Sequence, residues 1–466
     1  MITRRAFQAG LLAAGWSLDD ARAEIPAAGS WSALRATGSL PLRLKLEIGT
    51  DGAAKLFSHG SAPIVGRVSV TGGDEVRLEF PRVGAVFDGH MASPTRIEGT
   101  WRQGGSDFPL VFHRDEAALA PPPALPLTRE RLAMLRANAG SPAMAAASAR
   151  GHSASQIWVD GERVVGSGIA VEPTDQWHLG SITKSMTASL IGCLVDQGAL
   201  HWDDTVGQLL GAVAPDMREV YRAVTFRHLL CHRSGLPRDL PMLDLLPFSS
   251  EIADTREDRK AYARKALVLA PVGSMGATFT YANNGYVVAG AMVEAKLGKS
   301  WEDLITANLF MPLGLASAGF GAPGHAGASD EPVGHAKTMV GELRKPFPIG
   351  AGVSDNPAVI GPAGRVHMSL PDLLRYLGAH RDRTDYLRAE TWTTLHTPPF
   401  GGDYAMGWAV RHDRTLWHNG SNMLWYAEVL VDANHGVVAA AAANDGYLDK
   451  SGPAVGAALF DAAAAA

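Results

Sequence analysis

A serine and a lysine three positions apart, in Ser181-Ile182-Thr183-Lys184, are the residues of this chain best suited to covalent chemistry. Ile182, Met186, Leu190 and Leu194 recur behind them at helical spacing, and Gly198 stands where a C-cap would end the helix. The pattern predicts a helix of about sixteen residues with Ser181 in its first turn. Positions i and i+3 share a helix face, so the hydroxyl and the amine can meet. A buried ammonium loses hydration and its pKa falls, which would let Lys184 take or relay the serine proton. The helix N-terminus also favours the negative charge that develops beside Ser181 when it attacks a carbonyl. Alone the spacing is weak, because a capping serine with a surface lysine produces it too, and chance supplies it in about half of such chains.

Two further segments offer partners. Tyr281-Ala282-Asn283 lies between an aromatic, strand-like stretch at 278–281 and an apolar helix starting near Tyr286. A loop there would aim a phenol and an amide into a cleft. A phenol beside amines is expected to ionise below its usual value of about 10 and serve as a base. The amide of Asn283 donates and accepts at once, which suits orienting Lys184 and a substrate carbonyl. A core tyrosine and a turn-forming asparagine are the plain alternative. His418-Asn419-Gly420-Ser421 follows a strand-like segment at 416–418 and precedes another strand. Gly420 would let a substrate approach the backbone closely there. His325-Ala326-Gly327 spells the same His-x-Gly but sits in a Gly/Pro-rich loop and is set aside.

Taken in order, Ser-x-x-Lys, Tyr-x-Asn and a basic-x-Gly strand resemble the serine β-lactamase/penicillin-binding protein family. The tyrosine version resembles its class C β-lactamases, D,D-carboxypeptidases, D-aminopeptidases and esterases. Trp177-His178-Leu179-Gly180, the run from Leu229 through Cys231-His232-Arg233-Ser234-Gly235-Leu236-Pro237, Asn284-Gly285-Tyr286, Met311-Pro312-Leu313-Gly314-Leu315, Ser369-Leu370-Pro371-Asp372-Leu373 and Met406-Gly407-Trp408 extend the resemblance. It implies that Ser181 is the nucleophile, that Lys184 and Tyr281 transfer the proton and that Asn283 positions groups. It further implies an oxyanion hole built from the backbone N–H groups of Ser181 and Ser421, beside Gly420. His418 stands where β-lactamases carry lysine. A histidine near its ordinary pKa of about 6.5 is mostly neutral at pH 7, so the fixed charge for a β-lactam carboxylate is missing. The resemblance therefore implies an esterase first, a D-amino-acid peptidase or amidase or a D,D-carboxypeptidase second, and a β-lactamase third. A catalytically inactive binder of cell-wall peptides is the non-enzyme alternative.

These residues need elements to hold them. Strand-like segments at 156–159 and 163–165, joined by Asp160-Gly161, read as a hairpin, and others return at 405–410, 416–418, 426–431 and 437–442. Helical segments dominate between them. Strands at both ends with helices between predict one antiparallel sheet flanked by helices, plus a helical lobe, over residues 131–466. The fold class expected is α+β, class C β-lactamase-like. The C-terminal alanines add nothing to this reading. Residues 30–115 read differently. Leu42, Leu44, Leu46 and Ile48 alternate with Arg43, Lys45 and Glu47, and short runs follow at 64–70, 76–80 and 109–112. Asp51-Gly52, Gly72-Gly73 and Gly104-Gly105 separate them, which predicts a small all-β domain. The segment from Ile97 to Gly105, with Gly99-Thr100-Trp101, resembles a β module that precedes many bacterial serine hydrolases. Residues 116–130, with Pro121-Pro122-Pro123 and Pro126, read as a stiff linker. Thr3-Arg4-Arg5-Ala6-Phe7, a short apolar stretch and Ala21-Arg22-Ala23 resemble a twin-arginine export signal over residues 1–23, which implies a periplasmic or secreted protein.

Composition bounds the rest. The chain has 466 residues, 46% apolar and 19% charged, with a net charge of −5. No basic cluster suggests nucleic acid, and no apolar run reaches the roughly 18–20 residues of a membrane span. Neither Gly-x-Ser-x-Gly nor His-Glu-x-x-His occurs, so an α/β-hydrolase elbow and a zinc hydrolase are not supported. No cofactor or metal is expected, and the partner is a small-molecule or peptide substrate. Cys193 and Cys231 read as two buried apolar side chains rather than a disulfide, although the sequence leaves their pairing open along with the oligomeric state.

Overall fold

The computed structural model describes residues 27–466 except 36–41, 59–63, 72–73, 82–83, 104–105, 115–124, 249–254, 339–342, 350–353 and 412. The export segment, Gly72-Gly73, Gly104-Gly105 and Pro121-Pro122-Pro123 thus lie outside the described residues. The chain forms two compact units.

The first unit is a closed barrel. Its strands Gly29–Arg35, Leu42–Ile48, Ala53–Ser58, Ile64–Thr71, Glu75–Phe80, Ala85–Ser93, Arg96–Gln103 and Ser106–His113 pair in chain order, and the first pairs with the last. Period-two patterning explains the closure. Val76, Leu78 and Phe80 are buried while Glu75, Arg77 and Glu79 are exposed. Trp31, Phe80, Phe87 and Phe112 fill the interior, which makes it a packed core.

The second unit is built on a six-stranded antiparallel sheet. Its spatial order is Gln156–Gly161, Ala143–Arg150, Val437–Ala443, Tyr426–Asp432, Leu416–Ser421 and Ala409–Val410. Start and end of the unit therefore lie side by side, as Ala143–Arg150 pairs with Val437–Ala443. The expected hairpin is corrected. The partner of Gln156–Gly161 is the alanine-rich Ala143–Arg150, and residues 163–165 form no strand. Alanine favours helix, so this strand carries no strand signal of its own. Its small side chains instead let helices pack close on both faces. Met144 and Ala146 join Ala439, Ala441, Val455 and Leu459 in one core, while Ala143, Ala145 and Ala147 face the other. The C-terminal alanines do contribute, against expectation. They belong to the helix Leu448–Ala465, whose Ala458 and Ala462 are fully buried beside the helix Arg129–Ala139.

On the opposite face runs the helix Leu370–Asp382, and beyond it lies the helix Thr183–Asp196, buried from Thr183 through Leu194 and joined to it where the Tyr376 hydroxyl donates to Ser185 Oγ at 2.9 Å. The helices Arg256–Val268 and Asn283–Leu297 belong to the helical lobe, tied together by fully buried Arg259, which pairs with Glu294 and Glu302. Residues 278–281, expected as strand-like, are an irregular segment leading into Asn283–Leu297.

Candidate active site

Ser181 lies in a single 3-10 turn, Gly180–Ile182, that runs straight into the helix Thr183–Asp196. The predicted helix is thus present with its first turn tightened, and Gly180 takes φ +49° to enter it. Two hydrogen bonds lock the helix to the segment beside it: Val366 N–H donates to Thr183 Oγ1 at 3.0 Å, and Thr187 Oγ1 donates to the Pro362 carbonyl at 2.7 Å. That places the Ala363 carbonyl over the lysine. Lys184 Nζ is fully buried, 2.9 Å from Ser181 Oγ, 2.8 Å from Asn283 Oδ1 and 2.7 Å from the Ala363 oxygen. Burial holds its pKa well below the usual amine value; Asp239 opposes this and Arg238 adds to it. A neutral amine has two hydrogens and one lone pair. The two carbonyl oxygens can take the hydrogens, and the lone pair then faces the serine hydroxyl.

Tyr281 arrives from the irregular segment, which His232 pins down, and Asn283 from the first position of the helix that follows it. Ala282 N–H donates to His232 Nδ1 at 3.0 Å, Thr280 N–H donates to the His232 carbonyl at 2.9 Å, and the His232 ring lies 4.2 Å from that of Tyr281. Ser181 is close enough to lower the phenol's pKa, and the Tyr281 ring centroid is 4.9 Å from Lys184 Nζ. Hydroxyl, amine and phenol therefore share one site. The expected low-pKa phenol is corrected, however. Burial drives Tyr281 well above its ordinary value, and the Ser181 contact and Arg238 only partly offset this. Burial also lowers the pKa of the amine it lies beside, which weakens that amine as a cation, and the Arg238 guanidinium 5.6 Å from the ring only partly draws the proton off. Asn283 Oδ1 accepts from Lys184 Nζ at 2.8 Å, and its Nδ2 donates to Asp239 Oδ1 at 2.7 Å.

His418, Gly420 and Ser421 lie on Leu416–Ser421 along the other wall. His418 is buried; Nδ1 donates to the Asn419 carbonyl at 2.6 Å, leaving Nε2 to accept from the Tyr404 hydroxyl at 2.9 Å. Burial, with Lys184 adding to it, pushes its pKa down to about 3, so the ring is neutral. Gly420 serves a purpose other than the one expected of it. A Cβ there would sit 2.0 Å from the Leu179 oxygen and 2.5 Å from the Ser181 nitrogen. Backbone of the 179–181 turn, not substrate, occupies that space. A Cβ on Gly180 would likewise sit 2.2 Å from the Ser421 nitrogen. The two glycines bring the Ser181 and Ser421 amides together, the arrangement an oxyanion hole needs. The Ser421 hydroxyl is engaged elsewhere, donating to the Trp425 carbonyl at 2.7 Å.

Sequence reasoning missed Tyr404, Asp239 and the Ala363 carbonyl. Tyr404 immediately precedes the segment read as a strand at 405–410, of which only Ala409–Val410 is strand, and a backbone carbonyl has no sequence signature. Among the described residues no cluster of His, Cys, Asp and Glu could hold a metal ion, and no helix is long and apolar enough to cross a membrane. Cys193 and Cys231 are both buried and unpaired.

A family model described as Beta-lactamase matches residues 136–464. Penicillin-binding protein 4 of Amycolatopsis lactamdurans is 32% identical over 223 residues, which is 47% of this chain and 54% of that protein. The chain spans about half the length, or less, of the curated relatives it matches. Among solved structures, EstCE1, a hydrolase with promiscuous acyltransferase activity, superposes with a TM-score of 0.59 over 72% of this chain and 98% of its own at 18% identity. A D-stereospecific amidohydrolase from Streptomyces sp. gives 0.56 over 71% and 98% at 21% identity. Likeness at these identities is one of fold. With the family model covering most of the length, this chain belongs to the β-lactamase/penicillin-binding protein family.

Proposed function

We propose that the chain hydrolyses carboxylic esters through an acyl-enzyme on Ser181. The observation that carries this reading is the buried, neutral His418, both of whose ring nitrogens are engaged within the protein. The strand wall thus offers no fixed cation to a substrate carboxylate, and an uncharged ester needs none. As Ser181 Oγ attacks, its proton passes to the Lys184 lone pair, and the carbonyl oxygen becomes an anion between the Ser181 and Ser421 amides. The protonated Tyr281 phenol gives its proton to the departing alkoxide, and the Lys184 ammonium beside it returns the serine's former proton to the phenolate. Water then repeats the sequence on the acyl-enzyme, with Lys184 as base.

Hydrolysis of D-amino-acid amides is the second reading. It is favoured by Asp239, a partly exposed carboxylate bonded to Asn283 that could receive a substrate ammonium group. The D-stereospecific amidohydrolase among the structural neighbours agrees with it. A panel of short p-nitrophenyl esters and D-alanyl amides, read by acyl-enzyme mass, divides the two. Faster turnover of D-alanyl amides than of unactivated esters would replace the first reading by the second. A folded protein that no substrate or fluorophosphonate acylates, or a Ser181→Ala variant that still turns over, would end both and leave the peptide-binding role. The twin-arginine-like segment supports export to the periplasm, and retention of an Arg4→Lys, Arg5→Lys double variant in the cytosol is the expected result.

A further inference from the structure

Asp355 is a buried carboxylate outside the three motifs, and three segments of the site converge on it. Its Oδ1 lies 3.1 Å from His178 Nε2 and accepts from Asn422 Nδ2 at 2.8 Å, while its Oδ2 accepts from Arg365 Nε at 3.1 Å. Each partner sits next to backbone that the chemistry requires. His178 Nδ1 accepts the Gly180 N–H at 3.1 Å, and Gly180 immediately precedes Ser181. This acceptor role fixes the ring hydrogen on Nε2, which lies beside the Asp355 carboxylate without forming an aligned hydrogen bond to it. Asn422 follows Ser421, and its Oδ1 accepts from the Leu424 and Trp425 amides at 3.1 and 3.2 Å, shaping the turn that ends the strand. Arg365 stands two residues beyond Ala363, whose carbonyl takes the lysine amine. The Trp425 ring stacks on His178 at 5.6 Å, closing the cluster from solvent.

We infer that Asp355, acting through His178 and Asn422, is the positioning residue that sets the spacing of the two oxyanion-hole amides. Two walls from distant parts of the chain must hold their N–H groups to within a fraction of an ångström where the tetrahedral oxygen forms. Gly180 and Gly420 permit the close approach, but glycine supplies no restoring force of its own. The carboxylate supplies it, because one oxygen lies 3.1 Å from the ring nitrogen of His178, which backs the Ser181 side, and accepts the Asn422 amide that fixes the Ser421 side. A buried carboxylate with four partners, the Asn356 N–H at 2.7 Å among them, is stable only while they stay in place, so it enforces one geometry.

This inference rests on Ser181 being the nucleophile, and the experiment separates the two. Wild-type protein is first titrated with a fluorophosphonate and a phenylboronic acid; lack of both reactions rejects the nucleophile itself. The variants Asn422→Ala, His178→Leu and His178→Asn are then compared as active, titrated enzyme. A boronate places an oxygen in the hole, whereas a non-reactive product acid does not require one. Asn422→Ala and His178→Leu should lose 10- to 100-fold in kcat and in boronate affinity, the scale of a small misplacement at a reacting centre, with product-acid affinity changed less than about threefold. His178→Asn should regain part of the loss, because its Oδ1 can still accept the Gly180 amide. Asp355→Asn should resemble His178→Leu. Boronate affinity and kcat equal to wild type in the titrated variants would overturn the inference, and so would boronate and product affinities falling by the same factor.

Discussion

Lys184 Nζ lies 2.9 Å from Ser181 Oγ with carbonyl oxygens, not carboxylates, as its other hydrogen-bond partners. Carboxylates would keep the ammonium charged. Neutral acceptors in a buried site favour the free amine instead, and the lone pair has the hydroxyl as its partner.

The acid limb of the kcat/KM profile should therefore report Lys184 and fall well below the ordinary lysine value of about 10.4. The amine is the active form, so activity is lost as pH drops through this lowered pKa. Asp239 raises that pKa and Arg238 lowers it. Asp239→Asn should move the limb to lower pH and Arg238→Ala to higher pH. Shifts in the same direction for both variants would remove Lys184 as its source.

Tyr281→Phe should slow acylation by about 10²–10⁴-fold, the usual contribution of a positioned proton donor or base. Because burial keeps the phenol protonated, the loss should be larger for esters with poor alkoxide leaving groups than for p-nitrophenyl esters. Equal losses for both would show that the residue does not protonate the leaving group.

Gly420→Ala should both destabilise the fold and abolish activity. The added methyl would meet the Leu179 oxygen at 2.0 Å and the Ser181 nitrogen at 2.5 Å, and backbone on both sides cannot yield cheaply. Overpacking of this sort costs about 1–3 kcal/mol, which thermal melting would register. A stable, active variant would mean the two walls are looser than described.

Stability should fall on mild acidification. Burial lowers His335 and His367 to about 4, and His396 and His418 to about 3. In the unfolded chain each returns to about 6.5. Between those values the unfolded state binds more protons, so the folding free energy drops as pH falls from about 6.5 toward 4. Urea midpoints measured across that range should decline steadily, and a flat profile would contradict the buried neutral rings.

Sequence alone determined the chemistry-bearing triplets. Ser181 and Lys184 meet because three residues on a helix return to the same face, which is a local property. The order of Ser-x-x-Lys, Tyr-x-Asn and His-x-Gly named the family, and alternating residues such as Val76, Leu78 and Phe80 announced the N-terminal β domain. Ala143–Arg150 stayed hidden because alanine has no strand preference, and only packing between helix-covered faces makes it a central strand. The protonation states were equally out of reach. Burial set them, raising Tyr281 and lowering Lys184, and burial depends on what distant segments place around a group. The role of Gly420 and the convergence on Asp355 belong to the same class, since both are contacts between residues far apart in the chain that only the folded molecule brings together.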